Sequence, residues 1–551
     1  MDKKYKMSFQ LYYHHLVDIE GKRIYPAEIK VEEGKIVEVQ ETNLPCTNYV
    51  LPGFVDAHVH IESSMLLPVE FARAAVQFGT VATISDPHEI ANVCGINGVL
   101  YMLDNAARTP FKFHFGAPSC VPATQFETAG AAIGPREVNE LLCRPDIYYL
   151  SEMMNYPGVL MKDEEVMQKI EFAKKAGKPI DGHAPGLMGE DALRYISAGI
   201  TTDHECFTKE EALGKLKAGM KILIREGSAA RNFDALIDLL HEYENEIMFC
   251  CDDKHPDELV LHHINQHVIR AVARGIDVFK VLKAACVNPV KHYKMRSGLL
   301  HSGDPADFIV VKDLKNFEVI QTIIDGLTVF DQGKVQLPSI IHHPINQFGI
   351  TSFDADTLQV HAKEGLHQIH VIEALDGQLI TNDLLLPPCV KEGLIVSDTE
   401  NDILKMVVVN RYHEAPTAKT FVKNFQLKTG AIASTVAHDS HNIIAVGVED
   451  QYIAKAIDLL IKHQGGIAVC SEGQELILPL PVAGLMSLQT ADEVARAYTQ
   501  LHEAACHLGS TLRAPFMTLS FMALLVIPEL KLSDKGLFSS KIFNFTPLQF
   551  E

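Results

Sequence analysis

The sequence predicts an α/β protein built on a (β/α)8 TIM barrel, and two observations carry that expectation. Between about residues 51 and 299, short apolar runs that end in polar residues alternate with amphipathic stretches, and eight such runs occur. Eight strand-then-helix units over roughly 250 residues is the arithmetic of that fold. The second observation is where His, Asp and Glu fall. They gather at the C-terminal ends of the runs, where this barrel places its catalytic groups.

Ahead of the barrel, LVDIEGKRIYPAEIKVEEGKIVEVQ (16–40) reads as β, with EEGK as a hairpin turn. The barrel strands are expected in LPGFVDAHVH, GTVATISDPHE, FKFHFGAPS, DIYYLSE, KPIDGHAPG, GITTDHE, GMKILIREGS and EIMFCCDD. Helical stretches such as DEEVMQKIEFAKKAG (163–177) and EDALRYISAG (190–199) lie between them. After the barrel, residues 298–334 are β-like again. The flanking pieces, 8–50 and 300–345, are therefore expected to pair into one small β-sandwich domain around a barrel at 51–299. The mixed pattern over 347–551, with a helix over DQYIAKAIDLLIKHQGG (450–466), predicts a separate C-terminal α+β domain.

With 551 residues the chain is too long for one compact core. An apolar fraction of 47% and a charged fraction of 22% are ordinary for a soluble globular protein. Its 70 acidic and 49 basic residues give a formal charge of −21, which argues against nucleic acid or an anionic membrane as partner. The start, MDKKYKMSFQLYYHH, has no apolar h-region, so no secretory signal is expected. APFMTLSFMALLVIP (514–528) is short of the ~20 residues a membrane helix needs and reads as a buried core element. The 11 cysteines form no CxxC pair, and a reduced, cytoplasmic protein is expected.

The run LPGFVDAHVH places His58 and His60 two residues apart. On a strand such residues share a face, roughly 6–7 Å apart at the backbone. Both imidazoles then reach one divalent ion at about 2.0–2.1 Å. Four further strand ends carry ligand-type groups: Glu152 on the fourth, His183 on the fifth, His204 on the sixth and Asp252 on the eighth. Six donors exceed one tetrahedral site with an open position. They suit two ions roughly 3.5–4 Å apart with a carboxylate between them, and Glu152 is the natural bridge. Imidazoles and carboxylates without thiolate suit Mn2+, Fe2+ or Zn2+.

HxH on strand one, His on strands five and six, Asp on strand eight and a split β domain resemble the amidohydrolase superfamily. Many members bridge their metals with a carboxylated lysine on strand four. This chain has Glu152 there, which disfavours hydantoinase-like and dihydroorotase-like activities. GFVDAHVHIESSM, TISDPHEIANVCG, SEMMN, DGHAPG, TTDHE, REGSAARN, CDDKHP and VAHDSHNI (436–443) are similar to the bacterial-type adenine deaminases. That resemblance implies hydrolytic deamination of adenine to hypoxanthine and ammonia, two Mn2+ or Fe2+ ions, a small-molecule substrate and a homo-oligomer. The alternatives are another amidohydrolase acting on a different aminated heterocycle or cyclic amide, and a scaffold without activity.

Adding water at C6 of a purine needs hydroxide at neutral pH, and metal binding lowers the pKa of water to about 7. It also needs a group to carry the proton to the leaving amine. Asp252 is the expected shuttle; a purely structural ligand is the alternative. Asp253 is expected either to bond the purine or to cap the next helix. His88 and Glu89 are expected to contact substrate, or else to sit in an N-cap arrangement. Arg225, Ser228 and Arg231 either contact substrate or balance charge. His438, Asp439 and His441 are expected at a second metal site or a lid contact, with polar surface or internal hydrogen bonding as the alternative.

Overall fold

The computed structural model describes residues 9–340 and 342–550. The first eight residues, read above for a leader and as the edge of the first flanking segment, lie outside the described residues, as do Ile341 and Glu551.

Each of the eight apolar runs contains a strand: β1 (Phe54–Val59), β2 (Thr80–Ser85), β3 (Lys112–Ala117), β4 (Ile147–Met153), β5 (Ile180–Gly182), β6 (Thr202–Asp203), β7 (Lys221–Arg225) and β8 (Ile247–Cys250). They pair in parallel and in chain order, β1 to β5 in one sheet and β6 to β8 in another. All residues of β1 and β2 are buried, which is why these strands read as continuous apolar runs: parallel strands are covered on both faces. Gly182 lets β5 and β6 approach, since a Cβ there would lie 2.4 Å from the Thr202 carbonyl oxygen. Val59 bridges in parallel to Asp252, just past β8, and Asp56 Oδ1 accepts the Cys251 amide at 3.0 Å. The first and last strands thus meet at their ligand-bearing ends. The intervening helices carry their own stop and start signals. In Glu164–Lys175, for example, Asp163 caps the amide of Val166 at 3.0 Å.

The two flanking segments join in one eight-stranded sheet. Strand Tyr49–Pro52 lies between Gln10–Asp18 and Phe308–Val311, and this joins the two segments. The EEGK turn closes a hairpin between Arg23–Glu32 and Lys35–Glu41. Leu16, Ile29, Val31, Val50, Phe308 and Ile323 give this sheet a core of its own.

The C-terminal segment holds a nine-stranded sheet. Its strands alternate between two cores as a period of two requires. Val407, Ala433, Ala445 and Ala468 pack with Ile453 and Ile457 of helix Asp450–Lys462. Met406, Ile432, Ile444 and Val469 face the other way, into the main core that also contains the eight parallel strands. The apolar stretch at 514–528 folds as helix Pro515–Phe521, buried throughout, and among the described residues no helix is long and apolar enough to cross a membrane. All eleven cysteines are free.

Candidate metal centre

At the C-terminal ends of the strands, His58, His60, Glu152, His183, His204 and Asp252 converge in one buried cluster. Donor atoms about 2.1 Å from one ion lie roughly 3.0–3.4 Å from each other. The side chains here lie close to that spacing. His60 Nε2 lies 3.2 Å from His58 Nε2, 3.2 Å from Asp252 Oδ1 and 3.3 Å from Glu152 Oε1. The other oxygen of Glu152 lies 2.9 Å from His183 Nδ1 and 3.2 Å from His204 Nε2. The two oxygens of one carboxylate therefore face two groups of imidazoles. His60 Nδ1 lies 3.2 Å from the Asp86 carbonyl oxygen, an acceptor only, so it carries the proton and Nε2 turns a lone pair into the cluster. Burial raises the pKa of Glu152, but His183, His204 and His60 outweigh it and hold the carboxylate well below its usual range. These donors fit a pair of divalent ions.

Asp252 departs from strand geometry. Strand β8 ends at Cys250, and Asp252 has φ 56, a left-handed conformation. Its amide donates to the His58 carbonyl at 2.9 Å, and its carbonyl accepts from the His60 amide at 3.3 Å. Strand alternation is thereby lost, and Asp252 and Asp253 both line the same pocket instead of facing different ways.

Around the donors lies a charged layer. Arg225 is fully buried; it donates to both oxygens of Glu205 and, at 2.5 Å, to Asp252 Oδ2. On the opposite side His88 Nδ1 lies 3.3 Å from Asp86 Oδ2 and 3.6 Å from Glu152 Oε1. Glu89 receives His438 at 2.7 Å and also His441, both from the C-terminal segment. Burial opposes charge on His438, but Glu89 beside it lifts the imidazole to about 9. Leu379, Asp439, Phe521 and Leu524 complete the wall from the same segment.

The amidohydrolase family model matches residues 49–329, and the model of the adenine deaminase C-terminal domain matches residues 378–544. An adenine deaminase of Sulfurovum sp. (strain NBC37-1) is 55% identical over 534 residues, covering 96% of this chain and 98% of its own. One from Methanosarcina acetivorans is 54% identical over 542 residues, covering 97% and 98%. The chain belongs to the adenine deaminase family of amidohydrolases. Among solved structures, β-aspartyl dipeptidase from Fervidobacterium islandicum AW-1 covers 60% of this chain and 99% of its own, at 14% identity and TM-score 0.47.

For a member of the adenine deaminase family, the remaining expected site residues divide sharply. His88, Glu89, Asp253, His438 and Asp439 line the pocket with the metal-type donors. Asp253 accepts from Ser63 Oγ at 2.5 Å, and the following helix is capped at His255, so Asp253 is not its cap. His441 stands behind Glu89 and is wholly buried, as are His438 and Asp439, which removes the polar-surface alternative for all three. Arg225 lies behind the donors, against Glu205 and Asp252, and does not line the pocket. Ser228 is turned away: its Oγ donates to Glu258 at 2.9 Å and accepts from the His255 amide at 2.9 Å. Arg231 donates to the same Glu258 at 2.5 Å. Sequence reasoning missed Glu205 and Asp86. Both sit inside quoted motifs, TTDHE and TISDPHE: Glu205 directly follows His204, and Asp86 stands two residues before His88.

Proposed function

We propose that the chain hydrolyses adenine to hypoxanthine and ammonia at two divalent ions held by His58, His60, Glu152, His183, His204 and Asp252. The observation that carries this is Glu152, whose two oxygens face His60 on one side and His183 and His204 on the other. Relatives named adenine deaminase, alike over nearly the whole chain, supply the substrate. The eight strands are read as one closed barrel, its seam being the Val59–Asp252 bridge. The flanking sheet and the C-terminal segment are read as two further domains. The thiolate-free donor set suits Mn2+ or Fe2+.

Bound divalent ions supply water ionised near neutral pH. The protein's own residues do the rest. Asp252 is buried, yet Arg225 and the neighbouring imidazoles hold its pKa well below the usual carboxylate range, so it is an ionised proton acceptor. It takes the proton of the water that adds at C6 and hands it to the amino group, which leaves as ammonia. His88 and Asp253 stand beside the donors to orient the ring, and Leu379, Phe521 and Leu524 exclude bulk water above it.

The test is a panel of adenine, cytosine, guanine and dihydroorotate given to protein loaded with two equivalents of Mn2+. Ammonia and hypoxanthine from adenine alone are expected. No ammonia from adenine at full metal occupancy would sink the proposal.

A further inference from the structure

The segment VAHDSHN brings two histidines onto one carboxylate that lies far from it in sequence. Glu89 Oε1 accepts from His438 Nδ1 at 2.7 Å, and Glu89 Oε2 accepts from His441 Nε2. The tautomer of His441 is fixed by its own backbone. The amide of Ala437 donates to His441 Nδ1 at 3.3 Å, so that nitrogen holds the lone pair and the proton sits on Nε2, facing Glu89. The ring of His438 is stacked on Phe521, with centroids 4.5 Å apart and planes 12° apart. All three polar groups are buried. The spacing is that of hydrogen bonds and is shorter than the roughly 3.0–3.4 Å between two ligands of one ion. Glu89 in turn has Oε1 3.3 Å from His88 Nε2, and the other ring nitrogen of His88 points toward Glu152 at 3.6 Å. A line of contacts therefore runs from the C-terminal domain to the metal-type donors.

We propose that His438 and His441 are positioning residues: through Nδ1 and Nε2 respectively, they pin both oxygens of Glu89, and Glu89 holds His88 in the substrate pocket. They are not ligands of a further metal. This rests on the deaminase proposal for its kinetic readout but not for its structural one.

The two histidines donate from different ring positions, and amide side chains separate those positions. The amide nitrogen of Asn stands two bonds from Cβ, as Nδ1 does. That of Gln stands three bonds from Cβ, as Nε2 does. His438→Asn and His441→Gln should keep the bond to Glu89, whereas His438→Gln and His441→Asn should lose it. The matched pair is expected to retain kcat/KM for adenine within a few-fold. The mismatched pair should lose about 10–100-fold, the worth of one buried bond to a charged group. Metal content should stay at the wild-type value in all four. Crystal structures of the variants should show Glu89 in place in the matched pair and displaced in the mismatched pair. Equal losses for Asn and Gln at each position, an unmoved Glu89 throughout, or loss of a metal equivalent in the variants would overturn the proposal. If one histidine's variants do not fold, the pair at the other carries the test. If the wild type releases no ammonia from adenine, the deaminase proposal falls, and the position of Glu89 in the crystal structures still decides this one.

Discussion

Glu152 is the residue on which the proposed paired centre depends. Its carboxylate is buried among imidazoles from the ends of β1, β5 and β6, where it would supply the negative charge that two cations on either side require. Glu152→Gln keeps the shape and removes the charge. It should reduce bound metal from two equivalents to one or fewer, and lower turnover by more than the ~10–100-fold typical of changes outside the ligand shell. Two tightly bound ions and full activity in that variant, measured by elemental analysis and ammonia release, would end its assignment as bridge. Asp252 and Asp253 give a second contrast. Both line the pocket, but Asp252 contacts the donor histidines and Arg225, whereas Asp253 is held by Ser63. Asp252→Asn should lower kcat at saturating adenine by about 10²–10⁴-fold, the worth of a positioned proton carrier. Asp253→Asn should act mainly on KM, as a contact equal in ground and transition states does. The opposite assignment of kcat and KM effects would exchange their roles.

The ends of strands are where sequence and structure agree best and also where they part. The eight strands were readable because buried parallel strands show as unbroken apolar runs, and the convergence of the six His, Glu and Asp side chains because each sits in the last residues of such a strand or within two residues past it. The direction of Asp253 was not readable. Alternation holds only while the chain stays extended, and Asp252 leaves that geometry at φ 56. Nor was the turning away of Ser228, since its partner Glu258 belongs to the short helix Pro256–Leu259, thirty residues on. The bond between Glu89 and His441 spans 352 residues, and no local pattern encodes it. Strand Leu530–Ser533 carries another such tie. Its Lys531 is fully buried and donates to the carbonyls of Leu379 at 2.7 Å and Phe521 at 2.9 Å, both residues of the pocket wall. Burial lowers Lys531 to about 7, while the unfolded chain keeps its lysines protonated to about pH 10.4. Between those values the unfolded state binds more protons, so this group makes stability rise as pH goes from about 7 to 10. Thermal melts of wild type and Lys531→Met across that window should show the rise in the first and its loss in the second. Equal slopes would mean that Lys531 stays charged in the fold.

The molecule as a whole closes around its donors from both sides of the chain. Asp534 accepts the amide of Thr128 at 2.8 Å, Lys535 reaches the carbonyl of Glu127 at 2.9 Å, and Tyr498 meets His255 at 2.7 Å, so the C-terminal domain grips the loops that surround the pocket. Four imidazoles and two carboxylates brought this close present lone pairs and negative charge that a bound cation would satisfy. Metal binding is therefore expected to stabilise the folded protein, by about 2.7 kcal/mol for a site at one hundred times its dissociation constant. Chelation should lower the melting temperature by several degrees, and Mn2+ should restore it. An unchanged melting curve after verified metal removal would show that the donors are held by packing alone.

The order of residues along the chain also sets an order in time. Ribosomes release His58 to Asp252 before any part of the VAHDSHN segment exists, and at ~5–20 residues per second the interval is about 10–40 s. Throughout it the pocket lacks part of its wall, because Asp439, Phe521 and Leu524 have still to be made. The pocket is thus completed only by the last part of the chain to be made.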